Sequence, residues 1–331
     1  MAEKLPGICF IGCGKIAFSH AKNLRKLYKD IPLFFYDKDK RKSLEFKSKF
    51  GGLRSFPDVA FVYDNNDVNI IFITTPHAFH SEMAIEAARN HKDIIIEKPI
   101  ARNINELNKI ITYVEKYNVR CTVAENYMYK DFVYKIKDAI DKGYIGKPLF
   151  LEVNKYNRDK ISGWRTDPEL MGGGALLEGG VHWINLLASL AGSKPTDVIA
   201  LKPKIEYDTN IPVEDSMNLM VKFENGINGK LFHSWRIPNR YKGLGLSKIY
   251  GTEGVITFES NGLFTSVYGK KKKKYLGSFR DFLGFKKMLG TFVEDYRNDR
   301  PWKPGLDRII TEFKLVDAAY RSLKTGKFEQ I

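Results

Sequence analysis

The chain has 331 residues, 43% of them hydrophobic, with 54 Lys and Arg against 39 Asp and Glu, for a formal net charge of +15. This length exceeds that of a typical single core, so we expect two domains, and the composition excludes global disorder. No apolar run approaches the roughly 18–20 residues that cross a bilayer, and the N-terminus lacks the features of a secretory signal, so we expect a cytoplasmic protein without membrane spans. Three cysteines and scattered histidines offer neither a disulfide framework nor a metal-ligand spacing, so we expect no metal site.

The first part of the chain, residues 6–125, alternates short β-rich segments with longer amphipathic ones. The predicted strands are Gly7–Gly12, Leu33–Tyr36, Ile70–Thr74, Asp93–Glu97 and Arg120–Ala124. The predicted helices are Lys15–Lys29, Lys38–Phe50, Ser81–Asn90 and Ile104–Tyr117. Ile70–Ile73 and Ile94–Ile96 are apolar on both faces, which is typical of strands buried inside a parallel sheet. The pattern predicts a doubly wound α/β domain over residues 1–125.

The pattern changes after residue 148, where apolar and polar residues alternate. The predicted strands are Leu149–Asn157, Ser216–Phe223, Lys230–Ile237, Ser247–Tyr250, Val255–Phe258 and Leu263–Tyr268. Leu231, His233 and Trp235 share one face of their strand, and polar turns separate the segments, which predicts an antiparallel sheet. The predicted helices are Gly173–Ala191, Phe279–Asn298 and Leu306–Lys324. A helix and turn over residues 126–148 join the domains, so the second domain spans 126–331.

Most of the positive charge falls in this second part, including the run Lys270–Lys274. We interpret the run as a solvated loop, because no RNP motif, zinc finger or interleaved aromatic–basic pattern accompanies it. We therefore expect no nucleic-acid partner. The basic balance is compatible with an anionic substrate.

A glycine motif follows the first strand. Gly12-Cys13-Gly14-Lys15-Ile16-Ala17 has the form G-x-G-x-x-A, and it opens the first helix. Gly12 allows the tight turn, Gly14 lets backbone N–H groups approach a pyrophosphate, and Ala17 permits close packing of helix on strand. In this context the motif predicts dinucleotide binding rather than a simple turn.

The next strand ends at Asp37, whose carboxylate can accept both hydroxyls of an adenine ribose. Asp37 favours NAD, because a carboxylate repels the 2′-phosphate of NADP. Lys38, Lys40 and Arg41 could pair with that phosphate, so NADP stays open.

Two further strand ends carry unusual residues, Thr74-Thr75-Pro76-His77 and Glu97-Lys98-Pro99. The carboxyl ends of strands in an open α/β sheet face the ligand crevice. A lysine at the end of a buried strand is costly unless it faces that crevice or has a partner. The alternative is an exposed lysine beside Glu97.

A glycine-rich segment spans residues 172–185. If it is helical from Leu176, Glu178 and His182 lie on one face, with Asn185 on the same side. A carboxylate beside an imidazole can act as an acid–base pair, whereas the simpler interpretation is a surface pair. The five glycines suit close approach of the backbone to a ligand or to a second domain.

These landmarks together resemble the Gfo/Idh/MocA family of oxidoreductases. The residues that carry the resemblance are GCGKIA at 12–17, TTPHAFH at 74–80, EKP at 97–99, AENYMY at 124–129, WR at 164–165, GGGALLEGGVHWIN at 172–185 and AAYRSLKTGK at 318–327. The resemblance implies an N-terminal Rossmann domain and a C-terminal α/β domain on an open, mostly antiparallel sheet. It also implies homodimers or homotetramers formed through that sheet.

The resemblance also assigns roles. It implies that Lys98 and His182 lie at the nicotinamide with Glu178 beside them, and that the Lys98–Pro99 bond is cis. The implied cofactor-binding residues are Gly12, Gly14, Lys15, Ile16, Ala17, Asp37, Thr75, Pro76, His80, Glu97 and Lys98. The family usually has Asp where Glu178 stands, and often a second Asp at Asn185, which here can only hydrogen-bond.

The resulting hypothesis is hydride transfer between NAD(P) and a hydroxyl of a sugar, sugar derivative or polyol. His182 would take the hydroxyl proton and Lys98 would donate a hydrogen bond to the developing alkoxide. Asn126, Trp164, Arg165 and Asn185 are candidate substrate contacts, with Arg165 meeting an anionic group. The alternatives are a non-catalytic NAD(P)-sensing or partner-binding protein, and an NAD-dependent glycoside hydrolase.

Overall fold

The structure, a computed structural model, describes residues 5–204, 213–239, 244–278 and 280–331. These residues form two compact units. The first comprises the described residues up to Glu125 together with Phe285–Ile309. The second comprises Asn126–Gly284 and Ile310–Ile331.

The first unit is built on a parallel sheet. Its strands are β1 (Ile8–Ile11), β2 (Leu33–Tyr36), β3 (Arg54–Ser55), β4 (Ile70–Ile73), β5 (Asp93–Ile96) and β6 (Cys121–Val123). The helices that follow them are α1 (Lys15–Leu27), α2 (Lys40–Phe50), α3 (Ala60–Tyr63), α4 (His80–Arg89) and α5 (Ile104–Tyr117). The strand order is β3-β2-β1-β4-β5-β6, with every pairing parallel. The order reverses between β1 and β4, which confirms the predicted Rossmann fold.

The second unit is built on a nine-stranded mixed sheet. Its strands are β7 (Pro148–Tyr156), β8 (Pro195–Leu201), β9 (Ser216–Phe223), β10 (Asn228–Ser234), β11 (Leu246–Gly251), β12 (Gly254–Glu259), β13 (Phe264–Tyr268), β14 (Lys273–Leu276) and β15 (Glu329–Gln330). The remaining helices of the chain are α6 (Asp131–Asp141), α7 (Pro168–Met171), α8 (Val181–Ala191), α9 (Phe285–Arg297) and α10 (Leu306–Thr325).

The sheet order is β14-β13-β12-β11-β7-β10-β9-β8-β15. β7 and β10 pair in parallel, and the other pairings are antiparallel. The prediction of a mostly antiparallel sheet is therefore confirmed. A Cβ on Gly229 of β10 would lie 2.9 Å from Phe223 and 3.1 Å from Leu187 of α8, closer than side-chain carbons normally pack. The face of β7 and β10 that carries Gly229 is thus the face covered by α8.

The lysine run differs from its prediction. Lys273 and Lys274 belong to β14, which pairs with β13 at the edge of the sheet, so the loop interpretation was wrong for them. Their side chains are exposed. Charged residues on an edge strand discourage further pairing, which explains lysines at the border of a sheet.

Helix α9 and the segment after it pack with the first unit, although the sequence analysis placed them in the second domain. Met288, Leu289 and Phe292 bury the apolar face of α9, which packs against α1. The hydroxyl of Tyr28, after α1, donates to the Glu294 carboxylate at 3.0 Å. The predicted start of this helix, Phe279, lies outside the described residues.

Within the described ranges, the longest helix is α10, with 20 residues. No helix there is apolar enough over a sufficient length to cross a membrane.

Candidate active site

The glycine motif forms the turn between β1 and α1. Gly12 has φ of 97°, and a Cβ there would lie 2.9 Å from the Thr74 carbonyl oxygen. Around the Cβ position of Gly14 no heavy atom of the described structure lies within 4 Å, and the N-terminus of α1 has no side-chain cap. Ala17 is fully buried against the sheet. Open space above an uncapped helix N-terminus fits the pyrophosphate of a dinucleotide.

Asp37 lies beside this turn. Its carboxylate accepts the Cys13 N–H at 2.7 Å through Oδ2 and the Asp39 N–H at 2.9 Å through Oδ1. Arg41, one of the predicted partners for a 2′-phosphate, instead donates to both oxygens of Asp39, each at 3.1 Å. The carboxylate of Asp37 is therefore fixed beside the glycine turn, and its contact with an adenine ribose stays a prediction.

The end of β5 is held by a buried histidine. His20 of α1 is fully buried, and its Nε2 lies 2.5 Å from Glu97 Oε1. The other carboxylate oxygen of Glu97 accepts the Lys98 N–H at 3.1 Å. The Lys98–Pro99 bond is cis, as expected from the resemblance. The sequence analysis missed His20, because a single histidine on a helix carries no spacing signal.

His80 connects the segments that follow β4 and β5. Its ring is fully buried, with Nδ1 2.8 Å from the Pro99 carbonyl oxygen and Nε2 3.0 Å from that of Thr75. Burial lowers the pKa of His80. Both ring nitrogens face backbone carbonyls, so the ring braces the strand ends, and its contact with a cofactor stays a prediction.

The glycine-rich segment of the second unit is not the regular helix that was predicted. A π-helical turn, Leu176–Gly180, precedes α8. In a π-helix the hydrogen bonds join i to i+5, so the four-residue spacing of Glu178 and His182 no longer defines one helical face.

Glu214 anchors this segment. Its carboxylate accepts the Gly174 N–H at 3.1 Å, the Leu176 N–H at 3.0 Å and the Tyr320 hydroxyl at 2.7 Å. Burial raises the pKa of Glu214, while these hydrogen bonds oppose the rise. The glycines allow this close approach, because a Cβ on Gly174 would lie 2.0 Å from the Glu214 carbonyl oxygen. The glycines thus allow close contact with residues of the segment's own unit. The sequence analysis missed this explanation for the glycines.

Glu178 pairs with Arg165. The guanidinium donates from Nη2 to Glu178 Oε2 at 2.8 Å, and it lies 5.5 Å from the ring centroid of Trp235. The ring of His182 packs against that of Tyr127, with centroids 4.8 Å apart. Arg165, predicted to meet an anionic group, therefore already has a carboxylate partner inside the protein.

His233 was missed as a candidate, although its face of the strand was predicted. It is buried, its Nδ1 lies 3.1 Å from the Lys155 carbonyl oxygen, and its Nε2 has no hydrogen-bond partner in the described structure. Burial lowers its pKa to about 4, with the charges of Glu178, Lys155 and His182 also acting on the ring. The ring is thus neutral at pH 7, with Nδ1–H donated to the carbonyl and Nε2 left as an acceptor.

This shift predicts a loss of stability in acid. The pKa of His233 is about 4 in the folded protein against 6.5 for an unperturbed histidine, so the unfolded chain binds the proton first. The contribution of His233 to the free energy of unfolding is fully present above about pH 6.5. It is lost as the pH falls towards 4, and the total loss is about 3 kcal/mol. His233→Asn keeps a donor for the Lys155 carbonyl and should flatten the dependence of the unfolding free energy on pH over this window. His91→Asn, at an exposed position, should leave the slope unchanged, and equal slopes for all three proteins would contradict the assignment.

The other predicted substrate contacts have partners within the second unit. Asn126 donates its amide to the Leu283 carbonyl at 2.6 Å, and Asn185 donates to Glu312 Oε2 at 2.6 Å. Trp164 packs on the apolar cluster formed by Met171, Ala175 and Trp235. Their contact with a substrate stays a prediction. Among the residues that the structure describes, no group of three or more His, Cys, Asp or Glu is arranged to hold a metal ion.

Two family profiles match the chain. That of the oxidoreductase family with an NAD-binding Rossmann fold matches residues 7–125, and that of the GFO/IDH/MocA C-terminal domain matches residues 133–257. The class of protein is therefore an oxidoreductase with an NAD-binding Rossmann domain. The chain belongs to the Gfo/Idh/MocA family.

Several characterised proteins are similar to it. Myo-inositol 2-dehydrogenase of Thermotoga maritima is 24% identical over 302 residues, covering 88% of each chain. Glucose-6-phosphate 3-dehydrogenase of Bacillus subtilis is 28% identical over 229 residues, covering 68% of this chain and 64% of that protein. Levoglucosan dehydrogenase in complex with NADH and levoglucosan superposes with a TM-score of 0.87 at 21% identity, covering 99% of this chain and 100% of that one.

Proposed function

We propose that this protein is an NAD-dependent dehydrogenase that moves a hydride between the nicotinamide and a secondary hydroxyl or ketone of a sugar, sugar derivative or polyol. The observation that carries the proposal is that a fold of this family, with a dinucleotide turn, has Lys98 and His182 in the motifs that carry the resemblance, and Glu178 where the family usually has Asp. The names of similar proteins, an inositol dehydrogenase and two sugar dehydrogenases, support the substrate class.

The chain's own groups have distinct roles in this proposal. NAD, when bound, supplies the hydride acceptor. His182 takes the proton of the substrate hydroxyl on an imidazole nitrogen, while Lys98 donates a hydrogen bond to the oxygen that becomes an alkoxide. Arg165 donates to the Glu178 carboxylate at 2.8 Å and so fixes the position of this side chain in the segment that leads to His182. The Glu97 carboxylate accepts the Lys98 N–H and so orients the backbone from which the Lys98 side chain extends.

The cofactor in this proposal is NAD rather than NADP. The carboxylate of Asp37 is held by two backbone N–H groups, and Arg41 is paired with Asp39. We expect kcat/KM for NADP to be at least about tenfold below that for NAD, the scale of 1.4 kcal/mol. Asp37→Ser should bring kcat/KM for NADP closer to that for NAD, because it removes the charge that repels the 2′-phosphate. Glu45→Gln, an exposed carboxylate on α2, serves as the control, and equal use of both cofactors by the unchanged protein would contradict this prediction.

A substrate screen tests the function itself. The purified protein is incubated with NAD or NADP and a panel of sugars and polyols, and the absorbance of the reduced cofactor, NADH or NADPH, is followed. Formation of NADH with at least one of them is expected. Tight cofactor binding without turnover across the panel would favour the sensing protein. Release of an aglycone from nitrophenyl glycosides without net NADH would favour the glycoside hydrolase.

A further inference from the structure

A lysine occupies a core-facing position in the second unit. Along β7, Leu151 and Val153 are buried, and Lys155 is the next residue on the same face. In the parallel pairing with β10, Val153 lies opposite Leu231 and Lys155 opposite His233. This is the face covered by α8, so Lys155 continues a row of core residues as a half-buried cation.

The ammonium group of Lys155 lies close to the candidate catalytic residues. Its Nζ is 5.5 Å from the ring centroid of Trp183, which follows His182 in the chain. The charges of Lys155, Glu178 and His182 all act on the ring of His233. The cation therefore shares one local environment with the proposed base.

A second ammonium group lies near that of Lys155. Its Nζ donates to Asn261 Oδ1 at 3.1 Å, and the buried Lys130 donates to the carbonyl oxygen of the same Asn261 at 2.9 Å. Lys130 also lies 4.0 Å from the ring centroid of Tyr127, the ring that packs on His182. The buried carboxylate of Glu259 accepts N–H groups of Asn261 and Leu263. Two ammonium groups thus contact the same residue, Asn261, whose side chain donates to the buried Glu259 carboxylate.

Such a cation is costly for the fold. Burial lowers the pKa of Lys155, with Glu259 and Asp159 opposing the change. An apolar residue in the same row would avoid this desolvation. The charge of Arg165, the other candidate for an anion contact, is already paired with the Glu178 carboxylate. A desolvated charge beside an acid–base group is a feature of binding sites.

We propose that Lys155 is a specificity-determining residue that binds an anionic group, a carboxylate or a phosphate, on the substrate whose hydroxyl His182 deprotonates. This inference rests on the proposed function and narrows its substrate class to acidic sugars. Lys130 keeps the neighbouring positive charge and the Asn261 contact, and Lys155 makes the contact with the anion.

Matched substrates test the proposal. Neutral hexoses are compared with the corresponding uronates and hexose 6-phosphates, with kcat and KM measured for each. We expect kcat/KM at least about tenfold higher for one acidic class, and the class that gains identifies carboxylate or phosphate. In Lys155→Gln, KM for that acidic substrate should rise at least about tenfold, while kcat and the KM for neutral sugars change less than about threefold. Lys155→Arg should restore the preference.

A control variant separates the contact from general charge. Lys230→Gln removes a lysine from β10 on the opposite face of the sheet and should leave the preference unchanged. Equal or better kcat/KM for neutral sugars in the unchanged protein would overturn the anion contact and leave the proposed function intact. Loss of the preference in Lys230→Gln as in Lys155→Gln would also overturn it.

Calorimetric titration of the protein with NAD and each acidic sugar distinguishes the two proposals. Binding that is lost in Lys155→Gln, without any turnover, would support the anion contact and contradict the dehydrogenase. Absence of both binding and turnover with every acidic sugar would overturn the anion contact. The thermal midpoint of Lys155→Gln is measured alongside, and an unchanged or raised value shows that the fold does not require this cation.

Discussion

His182→Asn is expected to lower kcat by about 10²–10⁴, the usual contribution of general acid–base catalysis, with the dissociation constant for NADH unchanged. The imidazole is the group proposed to take the hydroxyl proton, and its ring packs on the ring of Tyr127. Asparagine keeps polarity but cannot accept the proton. Turnover is measured with the best substrate of the screen, and NADH binding by its fluorescence.

The exposed His91 provides the control for this variant. It has φ of 53°, a conformation that asparagine tolerates well, so His91→Asn should retain full activity. A kcat within about threefold of the unchanged protein would show that another group is the base.

Glu214→Ala is expected to destabilise the second unit by roughly 3–5 kcal/mol. The change leaves the N–H groups of Gly174 and Leu176 and the hydroxyl of Tyr320 without their acceptor. Each buried unsatisfied group costs about 1–3 kcal/mol, and partial relaxation of the segment reduces the sum. Urea unfolding followed by circular dichroism measures the loss.

Two matched variants show whether the hydrogen bonds are the cause. Tyr320→Phe removes a single donor and should cost about 1 kcal/mol. Glu224→Ala, at an exposed carboxylate in the turn after β9, should change stability by less than about 0.5 kcal/mol. A loss in Glu214→Ala no larger than in Glu224→Ala would mean that the glycine-rich segment holds its conformation without this anchor.

Helices and strands that are marked by their own capping residues or apolar runs were predicted accurately. Helix α5 has the predicted bounds, because Asn103 caps its first turn through the Glu106 N–H and Asn118 ends it in the left-handed conformation. The buried strand β4 was recognised from four consecutive apolar residues. By contrast, β8 and the short edge strands β3, β14 and β15 were missed. Edge strands of two to four residues have too little periodicity of their own and form through their neighbours.

The amino-acid order alone determined the glycine turn and the two sheet types, because both depend on patterns over a few residues that a sequence displays directly. The resemblance of its motifs to a known family named Lys98, Glu178 and His182 as candidate acid–base residues, and their roles stay a prediction. Only the tertiary structure decided that Glu214 anchors the glycine segment, that Arg165 pairs with Glu178, and that Lys155 lies opposite His233. Each of these contacts joins residues separated by 13 to 78 positions, and such pairings depend on strand register and helix packing rather than on any local pattern.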